Sequence, residues 1–178
     1  MLDFSRNHFE LLGLPVGYAL DGDLLAERFH ALQCAVHPDR FASAPDQERR
    51  LSMQASTRVN EAFQTLKNPL ARALYLLTLY PDPGPAAAQD TAFLMEQMEL
   101  RETLAEATSS PDPQGAVAGV LEHIVRSERV IQANLCRLFA DHAPEDLAAA
   151  HEAVQKLQFL DKCRRDAESL EAALELGS

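Results

Sequence analysis

The chain has 178 residues, 47% of them hydrophobic, with no Trp, 7 Gly and a formal net charge of -11. That is enough apolar material for one domain or two small ones, and scarce Gly beside abundant Ala and Leu favours helices over sheets. The acidic balance argues against nucleic acid, which needs a basic face; no stretch is long enough to span a membrane; and the scattered Cys34, Cys136 and Cys163 suggest neither a disulfide framework nor a zinc knuckle. No charged-then-apolar signal segment opens the sequence, so an untargeted cytoplasmic protein is expected.

In chain order, "NHFELLGLP" reads as a short helix closed by Gly13 and Pro15. A second helix begins at Asp21, a good N-cap, and carries Leu25, Phe29, Leu32 and Val36 at spacings of four, three and four. Pro38 has no backbone donor and disfavours helical geometry at His37, so this helix stops near Val36. Ser43, Pro45 and Asp46 then read as the cap and first turn of a long third helix running to about Asn68, with Leu51, Ala55, Val59, Ala62 and Leu66 as its stripe. The two stripes can face each other as an antiparallel pair joined by the "HPDR" loop. Asn68 and Pro69 start a fourth helix with Leu70, Leu74 and Leu77 on one side.

"YPDPGPAAAQD" ends that helix and reads as a stiff connector. The charge divides at the same place. Residues 1 to 80 hold 8 Lys and Arg against 9 Asp and Glu, and residues 81 to 178 hold 8 against 18. Beyond the connector, breaks at "SSPDP" and Pro144 leave helical stretches near 90 to 107, 114 to 141 and 145 to 176. Val117, Leu121, Ile124, Ile131, Leu135 and Leu138 keep close to a heptad register, as do Val154, Leu157, Leu160, Ala167, Leu170 and Leu174. The expectation is an all-α protein: a four-helix module over 1–80, a Pro-rich linker over 81–89 and a three-helix bundle over 90–178.

His37 could serve as a general base or metal ligand, and Cys34, three residues earlier, could form a Cys-His dyad with it. Against this, Cys34 sits at the negative end of its helix, which disfavours the thiolate, and no oxyanion loop or Gly-rich phosphate cradle is visible. His37 and Asp39 have no nearby cluster of metal ligands. No catalytic residue, metal or cofactor is expected, and the protein is not expected to be an enzyme. The plainest structural account is that Pro38 stops the helix, His37 meets its last carbonyls, and Asp39 and Arg40 are solvated.

On the helix near 90 to 107, Phe93, Leu100 and Leu104 suffice for a core stripe, and Leu94, Met95 and Met98 fall off it. Glu99 and Glu102 border them, giving an adaptable apolar patch with an acidic rim. Burial of this helix on two sides would explain the same spacing.

A helix pair joined by an exposed "HPD" loop, within a four-helix module of about 75 residues, resembles the J-domain of DnaK-class co-chaperones. "FELLGLP" resembles the start of that domain, and "VNEAFQTLKNPLARALYLL" its third and fourth helices. "DTAFLMEQMELRE" and "KLQFLDK" resemble the rest of the HscB family, the J-type co-chaperones of iron-sulfur cluster biogenesis, in its bacterial form. The resemblance implies that His37, Pro38, Asp39 and Arg40, with Arg28, meet the ATPase part of the chaperone HscA. It further implies that Leu94, Met95, Met98, Glu99, Glu102 and Phe159 bind the scaffold IscU. Asp39 would offer an acceptor-only carboxylate to arginines of the partner.

Two departures stand out. Arg40 takes the place of the family's usual Lys, and the outer face of the second helix, with Glu27, His30 and Cys34, is less basic than in J-domains generally. A monomer with these two protein partners is expected, with neither nucleic acid nor membrane. A J-domain protein for another client, or a purely structural adaptor, would fit the same pattern.

Overall fold

The computed structural model describes residues 3–81, 91–141 and 143–176. The chain forms two compact units, residues 1–80 and 81–178. The expected linker, apart from Pro81, lies outside the described residues. Among those residues the secondary structure is helical throughout, with seven α-helices and one short 3-10 turn.

In the first unit, α1 (His8–Leu11) is set by a reciprocal cap: Asn7 Oδ1 accepts the Glu10 amide at 2.9 Å and Glu10 Oε2 accepts the Asn7 amide at 3.1 Å. Gly13, at φ 65, turns the chain in the left-handed region that a Cβ disfavours, and the Leu14 amide closes on the Phe9 carbonyl at 2.9 Å. Asp21 caps α2 (Gly22–Val36) through the amides of Asp23 and Leu24. Pro38 ends it, and Pro38–Phe41 form the 3-10 turn. The pair α2 and α3 (Asp46–Lys67) runs antiparallel, with Val36 bonded to Ser52 at one end and the rings of Phe29 and Phe63 stacked 4.0 Å apart farther along. Ala55, Val59, Ala62 and Leu66 are buried as their spacing requires.

Two local expectations fail. Ser43 does not cap α3: the N-cap position is Pro45, which makes no side-chain hydrogen bond, and Asp46 and Glu48 supply negative charge in the first turn instead. In α4 (Pro69–Leu79), capped by Asn68 through the Ala71 amide, Ala73 and Leu76 turn inward while Leu74 is exposed. Leucines occur around much of this helix, so their spacing did not single out a face. The inward Ala73 admits close approach, Tyr75 stacks on His8 at 4.2 Å, and the Arg72 guanidinium lies over the Tyr18 ring.

The second unit is a three-helix bundle of α5 (Thr91–Ala107), α6 (Pro113–Asp141) and α7 (Pro144–Leu176). The long α6 and α7 pack along each other, and α5 lies against both. Val117, Ile124, Leu135, Leu138, Val154 and Leu157 fill the centre, as the heptad register predicts. Arg164 bridges the helices, reaching Glu128 on α6 at 3.4 Å while also holding Asp161 at 2.7 Å and Glu168 at 2.8 Å on its own helix. Burial pushes the Glu128 carboxyl up from its ordinary range, against the pull of Arg164.

Candidate functional site

The "HPD" segment is an ordered turn rather than a free loop. Pro38, in the first position of the 3-10 turn, gives up no bond because an N-terminal amide there would lack a helical partner. His37 is its N-cap: Nδ1 accepts the Asp39 amide at 3.3 Å, and the Arg40 amide donates to the His37 carbonyl at 3.0 Å. The Asp39 side chain is 90% exposed, with one carboxylate oxygen 3.6 Å from His37 Nδ1 and the carboxylate otherwise open to a partner. Arg40 is not simply solvated; its Nη1 donates to the Cys34 carbonyl at 3.1 Å. The last carbonyls of α2 are therefore met by Arg40 and by Ser52, not by His37. With Nδ1 given to the Asp39 amide, and the Cys34 thiol exposed, the pair is not arranged as a nucleophile with its base.

On α2 the residues Glu27, Arg28, His30 and Cys34 are all exposed. On this face one carboxylate, Glu27, stands beside a single guanidinium, Arg28, so it carries little net positive field. Behind the turn, Leu32, Val36, Phe41, Leu51 and Ser52, with Phe4 from the N-terminal segment, line an apolar groove of about 400 Å³.

In the second unit, α5 buries Phe93, Leu104 and Ala107 and half-buries Leu100. On the other side Leu94, Met95 and Met98 are 40%, 62% and 70% exposed, with exposed Glu99 and Glu102 beside them. Within the second unit α5 is buried on one side only, and the Met pair forms an apolar surface with carboxylates at its edge. Phe159 sits differently. It is half-buried against the core, edge-on to Phe93 at 6.0 Å and beneath the Arg101 guanidinium. With Glu99 it borders a cleft of about 910 Å³ between the three helices, whose walls include Phe93, Leu100, Val130 and Lys156. Glu99 therefore belongs both to the rim of the Met surface and to the cleft that Phe159 lines.

Among the described residues no three His, Cys, Asp or Glu side chains gather as metal ligands, and no helix is long and apolar enough to cross a membrane. Burial pushes the Cys163 thiol up, which makes it a poor nucleophile. It lowers the pKa of His8, whose ring is buried against Tyr75 with the Arg58 charge nearby.

The family model described as "HSCB C-terminal oligomerisation domain" matches residues 89–168. A curated relative, the co-chaperone protein HscB homolog of Shewanella halifaxensis, is 42% identical over 171 residues, which is 94% of this chain and 98% of that protein. The homolog of Aeromonas salmonicida is 41% identical with the same coverage. Among solved structures, the chaperone HscB from Vibrio cholerae superimposes with a TM-score of 0.80 at 41% identity, over 95% of this chain and 99% of that one. Human co-chaperone HscB superimposes with a TM-score of 0.81 at 28% identity, over 95% and 84%.

Proposed function

The chain belongs to the HscB family of co-chaperones, and from that membership we propose that it binds the iron-sulfur scaffold IscU, brings it to the DnaK-class chaperone HscA and stimulates HscA's ATPase. The observation that carries this reading is the His37–Asp39 turn, hydrogen-bonded into one shape with the Asp39 carboxylate outside. An exposed carboxylate on a preorganised turn can engage a guanidinium of the chaperone while losing little conformational entropy on binding. Pro38 fixes the backbone, His37 holds the Asp39 amide, and Arg40 beside the turn with Arg28 on the exposed face of α2 supplies positive charge. The chemistry of ATP hydrolysis belongs to the chaperone; this chain contributes a docking surface and no reacting group.

The client surface in this reading is α5, with Leu94, Met95 and Met98 as apolar anchors, Glu99 and Glu102 as the acidic rim, and Phe159 at the neighbouring cleft. Methionine side chains adapt to an irregular partner, and their exposure leaves them free to be buried by one. Carrying both surfaces on one chain raises the concentration of client at the chaperone, so scaffold and co-chaperone together should stimulate hydrolysis more than co-chaperone alone. The site of action is the cytoplasm and the working form a monomer, which sedimentation of the free protein measures directly.

Single-turnover ATP hydrolysis by HscA tests the reading. Asp39→Ala should remove the stimulation while helicity and melting temperature stay unchanged, because surface substitutions move stability by less than about 0.5 kcal/mol. Full stimulation by this variant would refute the assignment, and stimulation without IscU binding would point to another client.

A further inference from the structure

Where α2 stops, the hydrogen bonds that a continuing helix would make are replaced by others, and one replacement comes from a different helix. The Cys34 carbonyl would accept the amide of residue 38, but proline has none, and Arg40 Nη1 takes that place at 3.1 Å. The amide of Asp39, which would otherwise reach back to Ala35, goes to His37 Nδ1. The Val36 carbonyl would accept the amide of Arg40, but that amide turns to the His37 carbonyl at 3.0 Å. Val36 is met instead by Ser52 Oγ of α3, which donates at 2.8 Å.

Ser52 is only 5% exposed and, with His8, is one of two buried polar residues among the described ones. A hydroxyl buried in a helix interior is costly unless it is bonded, and this one is bonded to the residue directly before the turn. Arg40 could act on a partner as well as on α2. Ser52 is too buried to do so.

We propose that Ser52 is a positioning residue for the His37–Asp39 turn: by holding the Val36 carbonyl it ties the end of α2 to α3, and so sets the direction in which Asp39 is presented. Without the hydroxyl, Pro38 still ends α2, but the Val36 carbonyl loses its tie to α3 and the last turn of α2 is released from that helix. That release loosens the bonds that the Asp39 and Arg40 amides make to His37 and moves Asp39 with them. The effect on ATPase stimulation rests on the co-chaperone reading above; the effect on the turn does not.

The test compares the full-length protein with Ser52→Ala, Ser52→Cys and Ser52→Thr. Cysteine keeps the size but is a weak donor, whereas threonine keeps the hydroxyl, and Ser52 is among the residues that line the groove behind the turn. Amide hydrogen exchange at Asp39 and Arg40 should quicken in the Ala and Cys variants and stay as in the parent for Thr. In single-turnover hydrolysis by HscA, the co-chaperone concentration giving half-maximal stimulation should rise about five- to tenfold for Ala and Cys, the loss expected for one net hydrogen bond, with the maximal rate kept. Thr should restore the parent value. Unchanged exchange in both Ala and Cys overturns the proposal, and so does faster exchange with unaltered half-maximal stimulation. If the parent protein itself fails to stimulate HscA, the co-chaperone reading falls, and exchange alone decides whether Ser52 sets the turn.

Discussion

Truncating both methionines of α5, Met95→Ala with Met98→Ala, should weaken client binding strongly while leaving the bundle intact. The two side chains are 62% and 70% exposed, so the truncation removes little buried surface and should cost each position no more than about 0.5 kcal/mol of stability. Phe159 provides the contrast. A fully buried Phe→Ala costs about 3 to 5 kcal/mol. Phe159 is half-buried, with one edge-on aromatic partner and a guanidinium above, so about 2 kcal/mol is expected for Phe159→Ala. Urea unfolding followed by circular dichroism separates the two cases, and calorimetry with IscU reads the binding. If the methionines are anchors, the double variant should lose at least about 2 kcal/mol of affinity, roughly thirtyfold, at nearly unchanged stability. The Phe159 variant should lose stability and affinity together. A double methionine variant that unfolds with a loss above about 2 kcal/mol, or that binds IscU as tightly as the parent, would refute the reasoning.

Further predictions follow from the described contacts. Burial lowers the pKa of His8, so the fold prefers its neutral form: its contribution is complete above the unfolded value of about 6.5 and is lost as pH falls through the lower folded value. Urea midpoints of the first unit should therefore drop on acidification below that value, and His8→Phe, which can still stack on Tyr75, should flatten the slope; equal slopes would contradict it. Lys introduced at Glu27 and Cys34 should speed association with HscA in stopped-flow binding at low salt, with the gain fading as ionic strength rises. An equal rate at low salt would mean that the outer face of α2 does not steer the encounter. Replacing Arg164 by Met leaves Glu128, Asp161 and Glu168 without their shared guanidinium, and should cost about 1 to 3 kcal/mol at neutral pH. That penalty should shrink in acid as the carboxylates take up protons, and a pH-independent penalty would argue for lost packing alone.

Features encoded by neighbouring residues were legible in the sequence. Asp21 and Asn68 cap the helices they precede, Pro38 ends α2 where it must, and a 100° turn per residue puts Met95 and Met98 outside. The buried side of α4 was not legible, because leucines on several sides made two faces equally apolar and only the Tyr75 stack and the small Ala73 decide between them. The bond from Ser52 to Val36 was also hidden: it joins residues sixteen apart, and a serine beside Leu51 reads as a polar interruption of the stripe. Phe159 was expected beside the methionines, yet its ring is held by Phe93 and Arg101, contacts between helices that no spacing within α7 reveals.

The bond from the Asp39 amide to His37 Nδ1 has a consequence for what the turn displays. An imidazole nitrogen that accepts a hydrogen bond does not carry the proton, so this bond is made by the ring tautomer protonated on Nε2, whose Nδ1 also lies 3.6 Å from the Asp39 carboxylate. The motif thus pairs a ring donor with the Asp39 carboxylate acceptor, two poles of opposite sense set one residue apart across a proline. A complementary surface must then supply an acceptor for the ring and a donor for the carboxylate in a fixed order, so the turn has a direction that charge alone would not give it. Substituting a lysine for the histidine would keep a donor but lose the acceptor that holds the Asp39 amide, and with it the order of the two poles.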